Sequence, residues 1–375
     1  GLFAGGEEPV LSSEMSRRDR RAVSRMLRVI AETFFAAGAK EVFLPVLGGV
    51  RSMLRRDLRV LAYHRVRASQ PDDRFAFDVE LVSASAAQFR AQMQWIVTRM
   101  HPVSMREVLD ALDGGAALPR DAVVVTFDDG YDDNHSVAFP ILRELGVPAT
   151  FFVSTGHIES GMPYRYDWLV HMICRTDATR LVAPEIGVDA AIPPALAGRR
   201  KLAEHVLDRI KVLDNAGQVA LMDRLEREWS LPRGASPDDC RPMRWEHLRE
   251  MQEAGMEIGG HGVHHRMLAK LSRADMVAEL RECKRALDAE LPRPAFALSY
   301  PVGGMDAVDA EVVAASRDAG FRLACTYVSG TWRVSDAERF LIPRLPVERI
   351  MGDAFFAAMV ALPEVFRYPS RVRVA

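Results

Sequence analysis

The sequence has little of what would tie it to a redox scaffold, a membrane span or a nucleic acid. Its four cysteines, Cys174, Cys240, Cys283 and Cys325, stand far apart with no CxxC pair, which argues against a zinc ribbon or a disulfide framework. No uncharged apolar run reaches the roughly 18–20 residues that a bilayer span needs, so no transmembrane segment is expected. The formal net charge is only −2, too little to build a global field for nucleic acid or an anionic membrane. The Arg-rich stretch RSMLRRDLR (51–59) reads as a solvated helix face or a linker. The opening stretch GLFAGGEEPVLSSEMSRRDRR has no apolar core of the signal-peptide kind, and a cytoplasmic or membrane-peripheral setting is the expectation. Histidine is also unevenly spread: none of the ten follows His265.

What is present is an ordinary globular balance, 49% apolar and 27% charged, in a chain long enough for one barrel-like domain with an appendage. Residues 1–55 read as that appendage. The pattern predicts an amphipathic helix stopped at Gly38, then a short strand EVFLPV (41–46) and a glycine break. From residue 56 to 350, buried strands alternate with helices. AVVVTF (122–127) precedes a helix capped by Asn134 and ended by Gly146, and ATFFV (149–153) follows. MEIGG (256–260), a long helix capped by Ser272, AFALSY (295–300) and FRLACTYV (321–328) continue the alternation. Repeated β–α units with strands buried on both faces imply an α/β fold with a parallel sheet, here closed or nearly closed into a barrel. Residues 160–240 break the rhythm and read as a helical, loop-rich insertion, and 351–375 read as a C-terminal tail.

Two motifs carry chemistry. In TFDDGYDD (126–133) a buried strand ends in two carboxylates and a glycine, which places Asp128 and Asp129 on the rim where barrel enzymes keep their reactive groups. The turn at Gly130 can aim both inward, and two crowded carboxylates are relieved by a bound cation. Asp132, Asp133 and Asn134 read instead as helix caps. In GGHGVHH (259–265) His261 and His265 stand four apart behind another strand, a spacing that on one helical turn or a tight loop brings two imidazoles to one metal. His264 points elsewhere. Two histidines with one aspartate make a ligand set that leaves positions open for water and substrate.

TFDDGY and HGVHH, with SYPVGG (299–304) after them, resemble the polysaccharide deacetylase family, the NodB-homology carbohydrate esterases. The resemblance runs over roughly residues 56–350. It implies an irregular (β/α) barrel that removes acetyl groups from N-acetylated sugars with a divalent metal, usually Zn²⁺, with Co²⁺ or other ions as substitutes. Matched position by position, Asp128 falls on the general base, Asp129, His261 and His265 fall on the metal ligands, and Tyr300 falls on the residue whose backbone N–H helps bind the oxyanion. Tyr131 and Pro301, in the same motifs, fall on substrate-lining or supporting positions.

The chain departs from the family pattern twice. Gly262 stands where a Ser or Thr usually supports the histidine loop, and the late histidine that serves as general acid is missing. The strand RVLAYHRVR (59–67) resembles the "YH" strand of the circularly permuted poly-N-acetylglucosamine deacetylase branch, which makes His64 the candidate acid. His135 and His157 are the weaker alternatives, and Arg344 in RFLIPRLPV is a candidate for orienting the base. The expected function is metal-dependent N-deacetylation of a polysaccharide or oligosaccharide, with an N-acetylated glycan as partner and no nucleic acid. The rivals are a deacetylase of a lipid-linked sugar or small cyclic amide, and a catalytically silent carbohydrate-binding barrel. Oligomeric state is not legible.

Overall fold

In the computed structural model of the chain, residues 26–27, 29–33, 39–71, 74–235 and 238–367 are described. AVVVTF and ATFFV have no polar face, and every residue of both is buried. Such strands need cover on both sides, which a parallel sheet wrapped in helices supplies. The strands are β1 (Arg59–Tyr63), β2 (Arg65–Arg67), β3 (Val82–Ser85), β4 (His101–Pro102), β5 (Ala122–Phe127) and β6 (Ala149–Val153). They continue as β7 (Arg180–Ala183), β8 (Val188–Ala191), β9 (Glu257–Gly260), β10 (Ala297–Ser299), β11 (Leu323–Ser329) and β12 (Ile342–Pro346).

Parallel pairing runs β1–β12–β11–β10–β9–β6–β5, and β5 pairs back with β1, so seven strands close a barrel. β4 pairs with β5 outside the ring. The ring is irregular: β9 and β10 share the single pair Leu298↔Gly260, and the β11–β12 register slips between Cys325 and Ser329. β1, first of the barrel strands in the chain, lies between β12, the last, and β5. Its register with β5 sets Tyr63 beside Phe127, which brings the next residues, His64 and Asp128, to one point on the rim.

The strands of AVVVTF, ATFFV and MEIGG fall where the pattern places them, and Ser272 caps the helix Arg273–Glu290 by accepting from the Asp275 N–H. Three expectations need correction. EVFLPV is no strand. It lies inside the helix Ala39–Leu54, Pro45 included. Tertiary contact overrides local propensity here: Leu44 is buried, Gly48 packs near Ala361, and Arg51 pairs with Asp57 and Glu364. The expected stop at Gly38 lies outside the described residues.

The helix after the first motif is not α-helical from Asn134. Asn134–Ala138 form a π segment and Phe139–Leu145 the α-helix, ended by Gly146 in the left-handed region. Asn134 caps nothing. It is buried, and its side-chain amide donates to the His64 carbonyl at 2.7 Å. Residues 353–366 are also no tail. Every residue of Ala354–Ala361 is buried, as an all-round apolar helix must be, and Phe355, Phe356 and Phe366 enter the main core.

The segment 160–240 has its own apolar cluster, built from the helices Arg165–Arg175, Leu196–Arg209 and Asn215–Glu228, with Phe75 and Phe77 joining from before β3. It also holds an antiparallel hairpin, β7–β8. No described helix is long and apolar enough to cross a membrane.

Candidate active site

The first motif depends on a left-handed turn. Asp129 has φ 74° and Gly130 φ 79°. A Cβ at Gly130 would lie 2.8 Å from Val153 Cγ1, so only glycine fits. Asp129 has no such licence, since a non-glycine residue in this region is strained. The turn sends both carboxylates into the barrel mouth, where Asp128 and Asp129 are 2% and 4% exposed.

The histidine motif leaves β9 through glycines with no room for a side chain: a Cβ at Gly259 would sit 2.6 Å from Phe152. The His261 amide donates to the Val153 carbonyl at 2.9 Å. The motif is a tight loop and not a helical turn, with Gly262 at φ 75° and His265 at φ 56°.

Asp129 Oδ1 faces His261 Nε2 at 3.4 Å and His265 Nε2 at 3.3 Å. These three form the one group among the described residues whose donor atoms all lie within 4.8 Å of one another and could hold a metal ion. His261 Nδ1 lies 2.7 Å from the Ser299 carbonyl. Nδ1 must therefore carry a hydrogen, and in the neutral imidazole Nε2 keeps a lone pair. That lone pair and Asp129 Oδ1, a buried oxygen with no hydrogen bond among the described residues, point at each other. A cation between them turns this repulsion into coordination, so the set fits a divalent metal. Burial works to raise Asp129, but the two imidazoles hold its carboxyl well below the usual range. Burial works against charge on His261, but Asp129 and Asp128 outweigh it and hold that imidazole above its ordinary value.

Asp128 makes a different set of contacts. Its oxygens accept from Arg344 Nη1 at 2.8 Å and Nη2 at 2.6 Å. Arg344 is fully buried and is itself fixed by the Thr326 carbonyl, Thr126 Oγ1 and Ser299 Oγ. Burial alone would raise Asp128, but Arg344 keeps it below the ordinary carboxylate range. Such a carboxylate is ionised, oriented and able to accept a proton.

His64 follows β1 directly. Its amide donates to Ser83 Oγ at 2.9 Å and its ring meets the edge of Tyr327 at 5.4 Å. Burial lowers its pKa, opposed by the Asp129 and Asp128 charges. The Asp128 amide donates to the Tyr63 carbonyl at 2.9 Å, so the histidine and the base stand on adjoining strand ends.

The other candidates fall elsewhere. His135 stacks on His247 at 4.1 Å and pairs with Glu250, on the outside of the barrel. His157 is closer, but its Nδ1 is held by the Met162 carbonyl and burial pushes it down to about 3, so it stays neutral. Tyr131 is 1% exposed under the Arg65 guanidinium, which leaves it the supporting part of its expected role and not substrate contact. Pro301 lies against Gly262.

The Tyr300 assignment needs correction. Its N–H donates to the Cys325 carbonyl at 3.1 Å within the sheet and has no second hydrogen to offer an oxyanion. Two residues on, Val302 has φ 66°. Its N–H donates to nothing among the described residues, and it lies on a stretch that touches Gly262 at Pro301 and Tyr327 at Gly303.

Sequence reasoning also missed Glu279. This buried carboxylate accepts from the Val263 and His264 amides at 2.8 and 2.9 Å and from His264 Nδ1 at 2.7 Å. It braces the histidine loop from below, the support that Gly262 cannot give. An acidic residue on the inward face of the Arg273–Glu290 helix was the available signal.

A family model described as polysaccharide deacetylase matches residues 115–324, more than half of the chain. The chain belongs to the polysaccharide deacetylase family. A poly-β-1,6-N-acetyl-D-glucosamine N-deacetylase of Escherichia coli is 35% identical over 92 residues, 24% of this chain and 13% of that protein. One of Staphylococcus epidermidis is 30% identical over 109 residues, 27% and 37% of the two chains. This chain thus aligns with well under half the length of the curated relatives it matches. In fold it is similar to a Streptococcus pyogenes deacetylase solved with acetate, with TM-score 0.52, 19% identity, and 79% and 94% of the chains covered. It is likewise similar to a de-N-acetylase from Aggregatibacter actinomycetemcomitans, with TM-score 0.52, 16% identity, and 79% and 96% covered. His64 and Arg344 both lie outside the span matched to the polysaccharide deacetylase model, and barrel closure brings them to it.

Proposed function

We propose that this chain hydrolyses the acetamide of an N-acetylated polysaccharide, of the poly-β-1,6-N-acetylglucosamine kind, to amine and acetate. The observation that carries this reading is the convergence of Asp129, His261 and His265 beside an Asp128 carboxylate clamped by Arg344. Asp129, His261 and His265 would hold a divalent metal, Zn²⁺ by the chemistry of two imidazoles and a carboxylate, which polarises the acetyl carbonyl and acidifies a water.

The chain's own residues do the rest. Asp128, kept ionised by Arg344, accepts the proton of the attacking water. The Val302 N–H donates to the carbonyl oxygen as it gains charge, a form of stabilisation that is strongest in a buried site. His64 donates a proton to the departing nitrogen, without which the amine is a very poor leaving group. Ser299 serves both halves of the site, since its carbonyl fixes the His261 tautomer and its hydroxyl meets Arg344. The poly-N-acetylglucosamine preference is supported by the names of the sequence relatives and by the placement of the histidine strand first in the chain.

The test is acetate release from poly-β-1,6-N-acetylglucosamine, chitooligosaccharides and peptidoglycan fragments, with and without chelator. Release fastest on the β-1,6 polymer, abolished by chelation and restored by Zn²⁺ or Co²⁺, is expected. Release that resists chelation would overturn the metal assignment, and equal rates on all three substrates would overturn the preference.

A further inference from the structure

Tyr164 opens the insertion at the N-terminal end of the helix Arg165–Arg175 and is 6% exposed. Its hydroxyl donates to the backbone carbonyl of Asp129. The tyrosine ring meets His265 edge-on, 5.3 Å between centroids at 74°. One side chain thus touches Asp129 through its hydroxyl and His265 through its ring.

We propose that Tyr164 is a positioning residue for the Asp129–His261–His265 set, a strut that the insertion supplies to the barrel's metal-ligand residues. The inference rests on the metal-binding reading above. Two features raise it above ordinary packing. Asp129 sits at φ 74° without being glycine, and a carbonyl in such a turn keeps its direction only if its surroundings hold it there. The strut is also anchored from both ends. The Tyr164 carbonyl accepts from the Trp168 N–H at 2.9 Å, and the His157 ring lies 3.8 Å from the tyrosine ring. His157 is locked by the Met162 carbonyl at 3.1 Å. The insertion therefore braces the ligand set.

Groups that orient metal ligands typically change metal affinity 10–100-fold when removed. Tyr164→Phe keeps the ring and its burial and deletes only the hydroxyl. Its Zn²⁺ dissociation constant, measured by competition with a chromophoric chelator, should rise about 10–100-fold, and the visible absorption of the Co²⁺-loaded chain should shift. KM should hold while kcat falls at limiting metal and recovers as metal is added. A folded Tyr164→Phe chain with the parent's Zn²⁺ affinity and Co²⁺ spectrum would overturn the proposal and leave Tyr164 a packing residue.

Should that variant fail to fold, His157→Ala removes the ring that backs Tyr164 and leaves the tyrosine hydroxyl in place. It should also weaken Zn²⁺ binding, and an unchanged dissociation constant would again overturn the strut. A parent chain that binds neither Zn²⁺ nor Co²⁺ would sink the metal reading itself, a result seen before any substitution is made.

Discussion

Asp128 and Asp129 are neighbours in the chain with opposite surroundings, one clamped by a guanidinium and the other facing two imidazoles. Asp128→Asn keeps the shape and loses the base. Turnover should fall about 10²–10⁴-fold while Zn²⁺ stays bound; a variant that loses stoichiometric metal would show that Asp128, not only Asp129, is a ligand. The pH profile follows from the two pKa directions. Arg344 holds Asp128 below the usual ~3.9, and burial holds His64 below the usual ~6.5. The kcat/KM bell should have its acid limb below the first value and its alkaline limb below the second. Removing the guanidinium with Arg344→Met should move the acid limb upward, since burial then acts on Asp128 unopposed. His64→Gln should abolish the alkaline limb and lower kcat with metal content intact; an unchanged limb would exclude His64 as the donor. Asp128, Asp129, His261, His265 and His64 were legible as residues of one rim because each stands at a strand end in a motif. The Tyr300 amide was misassigned because sheet pairing with Cys325 takes its hydrogen, and pairing is not written in a motif.

At the scale of elements, the continuous strands were readable because burial on both faces leaves an unbroken apolar run. The helix Ala39–Leu54 was not readable, because its form is set by contacts with the far end of the chain. The histidine loop is an intermediate case. Its glycines are visible in sequence, but the carboxylate that holds it comes from sixteen residues downstream at Glu279. Glu279 is held below the ordinary glutamate range because the His264 side chain and the loop amides outweigh burial. A group so depressed contributes stability above its unfolded pKa, ~4.3, that is lost as pH falls through the lower folded value. Glu279→Ala leaves two loop amides without an acceptor, at about 1–3 kcal/mol for each one buried. Urea unfolding at pH 7 should show the loss, and the gap between variant and parent should close on acidification below pH ~4. A gap independent of pH would mean that the carboxylate acts only by filling space. Gly262→Ser, which restores the residue usual in the family, should destabilise, because φ 75° and Glu279 Oε2 at 3.3 Å leave no relaxed place for a side chain.

At the scale of the whole molecule, early and late segments meet. The helix Ala39–Leu54 packs on Asp353–Ala361, and Arg51 links them: its guanidinium donates to Asp57 at 2.8 Å and to Glu364 at 2.9 Å. The Arg51 and Asp57 side chains are 7% and 6% exposed, Glu364 35%, so the Asp57 pair carries the energetic argument and the Glu364 contact is largely screened. A seven-strand ring whose first strand lies beside its last has to close early and late segments together, and this pair sits just before β1. Arg51→Ala leaves Asp57 buried without its partner, a change that typically costs about 3–5 kcal/mol. Burial works to raise Asp57, while Arg51 holds it below its ordinary value. The pair's contribution is therefore present above the unfolded pKa of ~3.9 and fades as pH falls through the depressed folded value. Thermal unfolding of Arg51→Ala should show a lowered midpoint at pH 7 that converges on the parent's below pH ~4, and Arg51→Ala with Asp57→Asn should recover part of the loss. A midpoint within error of the parent's at pH 7 would show that residues 39–54 are an appendage resting on a barrel that closes without them.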